Sequence, residues 1–96
     1  MKRKEFLDIM KVHNVKKKEG TDYTFIFNNC EVLLEPDSEK VFIFGVSEPL
    51  LADALTLHND FTLHTLTTVR GKFVRNFYTK TSQGLNDFFE LASEYF

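Results

Sequence analysis

From Lys40 to Val46 the chain reads KVFIFGV, and Val41 to Phe44 is apolar at every position. Side chains alternate across a strand, so this segment sends large apolar groups to both faces at once. Such a strand belongs in the middle of a sheet, covered on both sides or nearly so. The rest of the chain has to supply its neighbours and its cover.

Two strand candidates precede it. In DYTFIFN, Tyr23, Phe25 and Phe27 face one way and Thr24, Ile26 and Asn28 the other; EVLLE follows the Asn28-Asn29 turn. Pro36-Asp37-Ser38 supplies a second turn before Lys40, so consecutive antiparallel hairpins are the economical connection. After KVFIFGV the period changes. SEPLLADALTLHN places Leu50, Leu51, Ala54, Leu55 and His58 on one helical face, with Ser47 as N-cap and Pro49 in the first turn. FTLHTLTTV and KFVRNFYT, divided by Arg70-Gly71, predict two further strands joined by a tight turn.

Helices are expected at both ends. KRKEFLDIMKVHN carries an apolar stripe of Phe6, Leu7, Ile9, Met10 and His13, and runs into KKKEG, where three lysines suit a helix C-terminus and a solvated loop, and Gly20 a terminator. SQGLNDFFELASEYF offers Ser82 as a cap and Leu85, Phe88, Phe89, Ala92, Tyr95 and Phe96 as a broad apolar face, Gly84 weakening only its first turn. The expected order is αβββαββα. This is an α+β fold, a single domain over residues 1–96, with an antiparallel, twisted sheet of four to five strands and helices packed on one face. Its core is expected to hold Phe25, Phe27, Leu33, Val41, Ile43, Leu51, Leu55, Phe88 and Phe89. With helices on one face only, Phe42 or Phe44 falls on an exposed patch, which suggests self-association or a partner.

Eleven Phe without Trp in 96 residues give apolar area with no buried polar atom to satisfy. Cys30 is the only cysteine, so an intrachain disulfide and a four-cysteine zinc site are excluded, and a reducing, cytoplasmic setting fits. Glu5, Asp8 and Lys11 interrupt any signal-peptide-like stretch, and no apolar run approaches the roughly 20 residues of a membrane span.

The charge is unevenly distributed. Residues 1–18 hold seven Lys or Arg against two acids, 19–60 nine acids against Lys40, 61–80 four cations and no acid, and 81–96 three acids and no cation. Either the blocks neutralise one another in the fold or they form faces for partners of opposite charge; neutralisation is the expectation.

Two binding classes follow. Glu31, Glu35, Asp37, Glu39, Glu48 and Asp53 flank strands and turns and would display an acidic surface to the basic groove of a nucleic-acid-processing protein. A protein-binding module, an inhibitor or adaptor of the kind phages and mobile elements encode, is the first reading. The alternative is nucleic-acid binding through residues 69–81, where Arg70, Lys72, Arg75 and Lys80 interleave with Phe73 and Phe77, and Lys2, Arg3 and Lys4 would assist. On that strand Phe73, Arg75 and Phe77 share a face, so they make either a stacking platform or part of the core. RGKFVRNF meets the RNA-recognition-motif signature only at Arg70, Gly71 and Phe77, and the element order, ending in a helix, excludes that family.

Catalytic patterns are missing. No nucleotide-binding glycine loop or nucleophile elbow occurs, Cys30 reads as a small buried thiol, and Glu35, Asp37 and Glu39 sit in a polar turn. His58, Asp60 and His64 lack metal-ligand spacing, so no metal, cofactor or enzyme activity is expected, and a small hydrolase is the least favoured reading. A homodimer is open, because exposed strand edges decide it.

Overall fold

The computed structural model describes residues 1–95; the expected placement of Phe96 on the last helix lies outside them. Three helices, α1 (Arg3–Val12), α2 (Pro49–Leu57) and α3 (Ser82–Tyr95), accompany β1 (Lys16–Lys17), β2 (Thr24–Phe27), β3 (Cys30–Glu35), β4 (Lys40–Val46), β5 (Phe61–Val69) and β6 (Lys72–Thr79). All six strands form one antiparallel sheet in the order β1-β2-β3-β4-β6-β5. The VFIF strand is β4 and has strands on both sides.

The sheet has six strands rather than four to five. The extra one is β1, inside the lysine run expected to be a helix end and loop. Helix α1 stops sooner, at Val12, because Asn14 takes a left-handed φ of 55° and the Asn14 and Val15 amides donate to the Lys11 and Met10 carbonyls, a Schellman closure. The chain is then free to lay Lys16 and Lys17 against Ile26 and Phe25.

Two caps also move by one residue. Glu48, not Ser47, caps α2 by accepting the Leu51 N–H at 2.8 Å, and Thr81, not Ser82, receives the Gly84 N–H at 3.0 Å.

The core is one cluster joining Phe6, Ile9 and Met10 of α1, Leu51 and Leu55 of α2, and Leu85, Phe88 and Phe89 of α3 to the alternate sheet residues Phe25, Val32, Leu34, Val41, Ile43 and Phe77. Leu33 is not part of it. Val32 pairs with Phe25 and Ile43 on the helix side, which turns Leu33 to the opposite face beside Phe42. Phe27 is half-buried against the cluster, edge-on to Phe88 and Phe89.

Asn76 organises the centre of the sheet. The β4–β6 register shifts between Ile43 and Val46, and the β5–β6 register between Leu63 and Thr65. Asn76 lies between the two: its Oδ1 accepts the Gly45 N–H at 2.9 Å and its Nδ2 donates to Thr65 Oγ1 at 2.8 Å. Gly45, at φ 90°, supplies the backbone shape that the β4 bulge needs. One buried amide therefore satisfies both irregularities.

Candidate functional site

The β5–β6 hairpin turns through Arg70 (φ 53°) and Gly71 (φ 79°), the paired positive φ values of a two-residue type I′ turn. Its tip overhangs the sheet. Val46, the last residue of β4, pairs with Arg75, so Lys72, Phe73 and Val74 pair only with β5.

This register divides the proposed nucleic-acid residues. Phe77 is fully buried in the core, whereas Phe73 is 73% exposed on the overhang. Between them Arg75 turns to α2, donating to Asp53 Oδ1 at 2.9 Å and Thr56 Oγ1 at 3.0 Å. A stacking platform of Phe73, Arg75 and Phe77 is thus not formed. Lys80 follows the far end of β6, about 25 Å of strand from Lys72. Lys2 is at that far end too, 2.7 Å from Glu39, and the Arg3 guanidinium lies 5.8 Å from the Tyr23 ring. Only Arg70, Lys72 and Phe73 remain together. Arg70 and Lys72, which have no ion pair among the described residues, line a groove of about 470 Å³ with Asn29, Ser47 and Val74.

The acidic residues are largely engaged inside the molecule. Lys18 meets Glu31 at 3.1 Å, Lys2 meets Glu39 and Arg75 meets Asp53, each pair linking a basic block to the acidic 19–60 block. The hydrogen bond from Lys2 and its charge hold the Glu39 carboxyl below its ordinary range and raise Lys2 in return. Glu48 is spent on the α2 cap. Glu35 and Asp37 stay exposed near Glu39, while Glu48 and Asp53 belong to α2, so the six do not form one face.

A cluster of apolar side chains surrounds the Arg75–Asp53 pair. Leu66 is the cross-strand partner of Arg75, Phe73 is two residues along β6, and Leu50 and Leu57 lie one helical turn either side of Asp53. Leu50, Leu57, Leu63, Leu66 and Phe73 are all exposed. Single exposed leucines are ordinary, but apolar groups gathered around one fixed ion pair make a patch. Sequence reading missed it, because α2 and the hairpin become neighbours only in the fold, where Arg75 spans them at the surface.

The sheet face away from the helices carries a second aromatic group. Phe42 is only 8% exposed there, in an offset stack with Phe44 at 5.5 Å and flanked by His64 at 5.1 Å and Tyr78 at 5.8 Å. The Lys40 ammonium sits 4.6 Å from the Tyr78 ring. These rings cover one another, which explains how VFIF tolerates a face without helices. Phe42 itself has little ring face left for stacking a base.

The polar clusters are occupied by their own hydrogen bonds. His58, Asp60 and Asp87 bring ligand atoms within 4.8 Å of one another. The Asp60 N–H donates to His58 Nδ1 at 3.0 Å, so Nε2 carries the ring hydrogen that reaches Asp87 at 2.8 Å. A ring in that tautomer has no lone pair left for a metal. Among the described residues no histidine nitrogen is hydrogen-bonded to a hydroxyl or thiol; His13 reaches Asn86 at 2.8 Å and stacks on Phe89. A groove of about 610 Å³ between α1 and α3 mixes Lys2 and Lys4 with Glu5 and Asp8 and is lined by no histidine or cysteine among the described residues.

Cys30 is buried, its Sγ 3.6 Å from the Gly45 carbonyl oxygen, and burial pushes the thiol up to about 11. Iodoacetamide at neutral pH is therefore expected to label the folded protein at least on the order of a hundredfold more slowly than the urea-unfolded chain, followed by mass spectrometry. The same raised value stabilises the fold fully below the unfolded thiol's value of about 8.5, and that contribution is lost as pH climbs through about 11. Equal labelling in both states would place Cys30 at the surface.

None of the described helices is long and apolar enough to cross a membrane. Comparison of the chain with protein-family profiles, curated proteins and solved structures gave no match.

Proposed function

We propose that this chain is a non-enzymatic protein-binding module, an inhibitor or adaptor, that docks its partner on the helix-side face of the β5–β6 hairpin and the adjoining surface of α2. The observation that carries the reading is the exposed apolar cluster around Arg75 and Asp53, with Phe73 the largest group and 73% exposed. Large apolar anchors around a fixed polar centre are the usual source of affinity at a protein interface. Arg70 stands at the turn that ends this face, and Lys72, next to Phe73 along the strand, points to the other side of the hairpin, so a partner whose apolar patch carries carboxylates that reach round the hairpin tip fits best. This reading moves the docking surface from the acidic residues, most of which already have partners, to the apolar groups around one of them, Asp53.

Immobilised full-length protein is expected to retain specific proteins from a native extract that a Phe73→Asp/Leu66→Asp variant of equal helicity does not. Identical retention by both, or salt-sensitive binding of labelled single-stranded RNA or DNA that needs Arg70 and Lys72, would overturn it.

A further inference from the structure

The two edges of the sheet differ in kind. One is closed by β1, two residues long and both lysine, a device that discourages further strand pairing. The other is β5, nine residues of FTLHTLTTV with no charge and no proline, every residue after Phe61 being exposed. Its bulge at His64 is the only irregularity along it. A strand this long leaves a row of backbone N–H and C=O groups on its outer side without a ladder partner.

We infer that β5 pairs with β5 of a second copy of this chain, making an antiparallel, two-fold dimer with a continuous twelve-stranded sheet (six strands from each copy). This goes beyond the docking face proposed above and shares Leu63 and Leu66 with its edge, so the variants below leave both leucines in place. Two-fold pairing sets a strand against itself reversed, so any charge on it would lie near a charge of the same sign. β5 carries none.

The register follows from which residues share a face. Allowing for the bulge, Phe61, Leu63, Leu66 and Thr68 lie on the helix side, opposite Thr79, Phe77, Arg75 and Phe73 of β6, while Thr62, Thr65, Thr67 and Val69 lie on the other side. With the two-fold axis at Thr65, Leu63 of each copy faces Leu66 of the other, and Thr62 faces Thr67 on the opposite side. Both pairings match in character. The same register brings Arg70 of each copy beside Asp60 of the other, one position apart and within reach of an arginine side chain. Neither residue has an ion pair within its own chain among the described residues. The interface is thus uncharged at its centre and of opposite charge at both ends. The two hairpin faces also come to lie side by side.

Sedimentation equilibrium of the full chain over a range of concentrations, with two charge variants, tests this. The wild-type protein is expected to sediment as a dimer. Thr62→Lys/Thr67→Lys opposes lysines twice across the axis and is expected to weaken dimerisation roughly tenfold, whereas Thr62→Glu/Thr67→Lys joins opposite charges and restores it. All three proteins should share one far-ultraviolet circular dichroism spectrum, which separates lost pairing from lost folding. A wild-type monomer at every concentration, or the two variants dimerising alike, overturns the inference and leaves the docking reading to its own experiment.

Discussion

Replacing Phe77 by alanine is expected to lower the unfolding free energy by about 3–5 kcal/mol, while Phe73→Ala changes it by no more than about 0.5 kcal/mol. The two side chains are four residues apart on one strand and one face, so composition and local propensity cannot separate them. Their surroundings do. Phe77 is fully buried, pairs across the sheet with Ile43 and Leu63, and meets the Phe61 ring edge-on at 6.3 Å. Its removal leaves a cavity under all three. Phe73 stands on the overhang with 73% of its surface in solvent, and its removal leaves no cavity. Urea unfolding followed by circular dichroism reads both values; a loss below about 1 kcal/mol for Phe77→Ala would mean that the hairpin does not reach the core. The same pair of variants divides structure from function, since Phe73→Ala should weaken partner docking in a protein of unchanged stability.

Much of this architecture is legible in the sequence, because periodicity reports which side of an element is apolar. The three helices, the hairpins on either side of Asn28-Asn29 and Arg70-Gly71, and the central position of VFIF all follow from it. Periodicity fails where it is ambiguous. EVLLE has three consecutive apolar residues, and only pairing with Phe25 and Ile43 selects Val32 and Leu34 over Leu33. Strand β1 has no apolar pattern at all, since two lysines join the sheet through backbone groups alone. Ser47-Glu48 and Thr81-Ser82 each offer two neighbouring oxygens, and the backbone direction entering the helix decides which one caps it. The proposed docking face is the least legible. Four cations close together in sequence become one internal pair, one distant lysine and two groups at the tip with no ion pair among the described residues, because an extended strand carries its residues far apart.

Gly84→Ala tests the junction that orients α3. Helix propensity alone predicts that exchanging glycine for alanine stabilises a helix by up to about 1 kcal/mol. The opposite sign is expected here, a loss of about 1–3 kcal/mol, because the new methyl would overlap Thr79 Oγ1 and come within 3.0 Å of both Asp60 Cβ and Thr81 Oγ1. Thr79 is buried, and the Thr81 hydroxyl caps the helix through the Gly84 N–H, so neither can move aside without losing packing or the cap. The glycine therefore sets how closely α3 approaches the end of β6 and the start of β5. If that is the cause, the loss belongs to the contact with Thr79 rather than to the helix. Thr79→Ala opens the same space, so Gly84→Ala should cost at least about 0.5 kcal/mol less in a Thr79→Ala background than in the wild type. Equal costs in the two backgrounds would shift the cause to the helix's own first turn, and a stabilising Gly84→Ala would mean that α3 stands farther from the sheet.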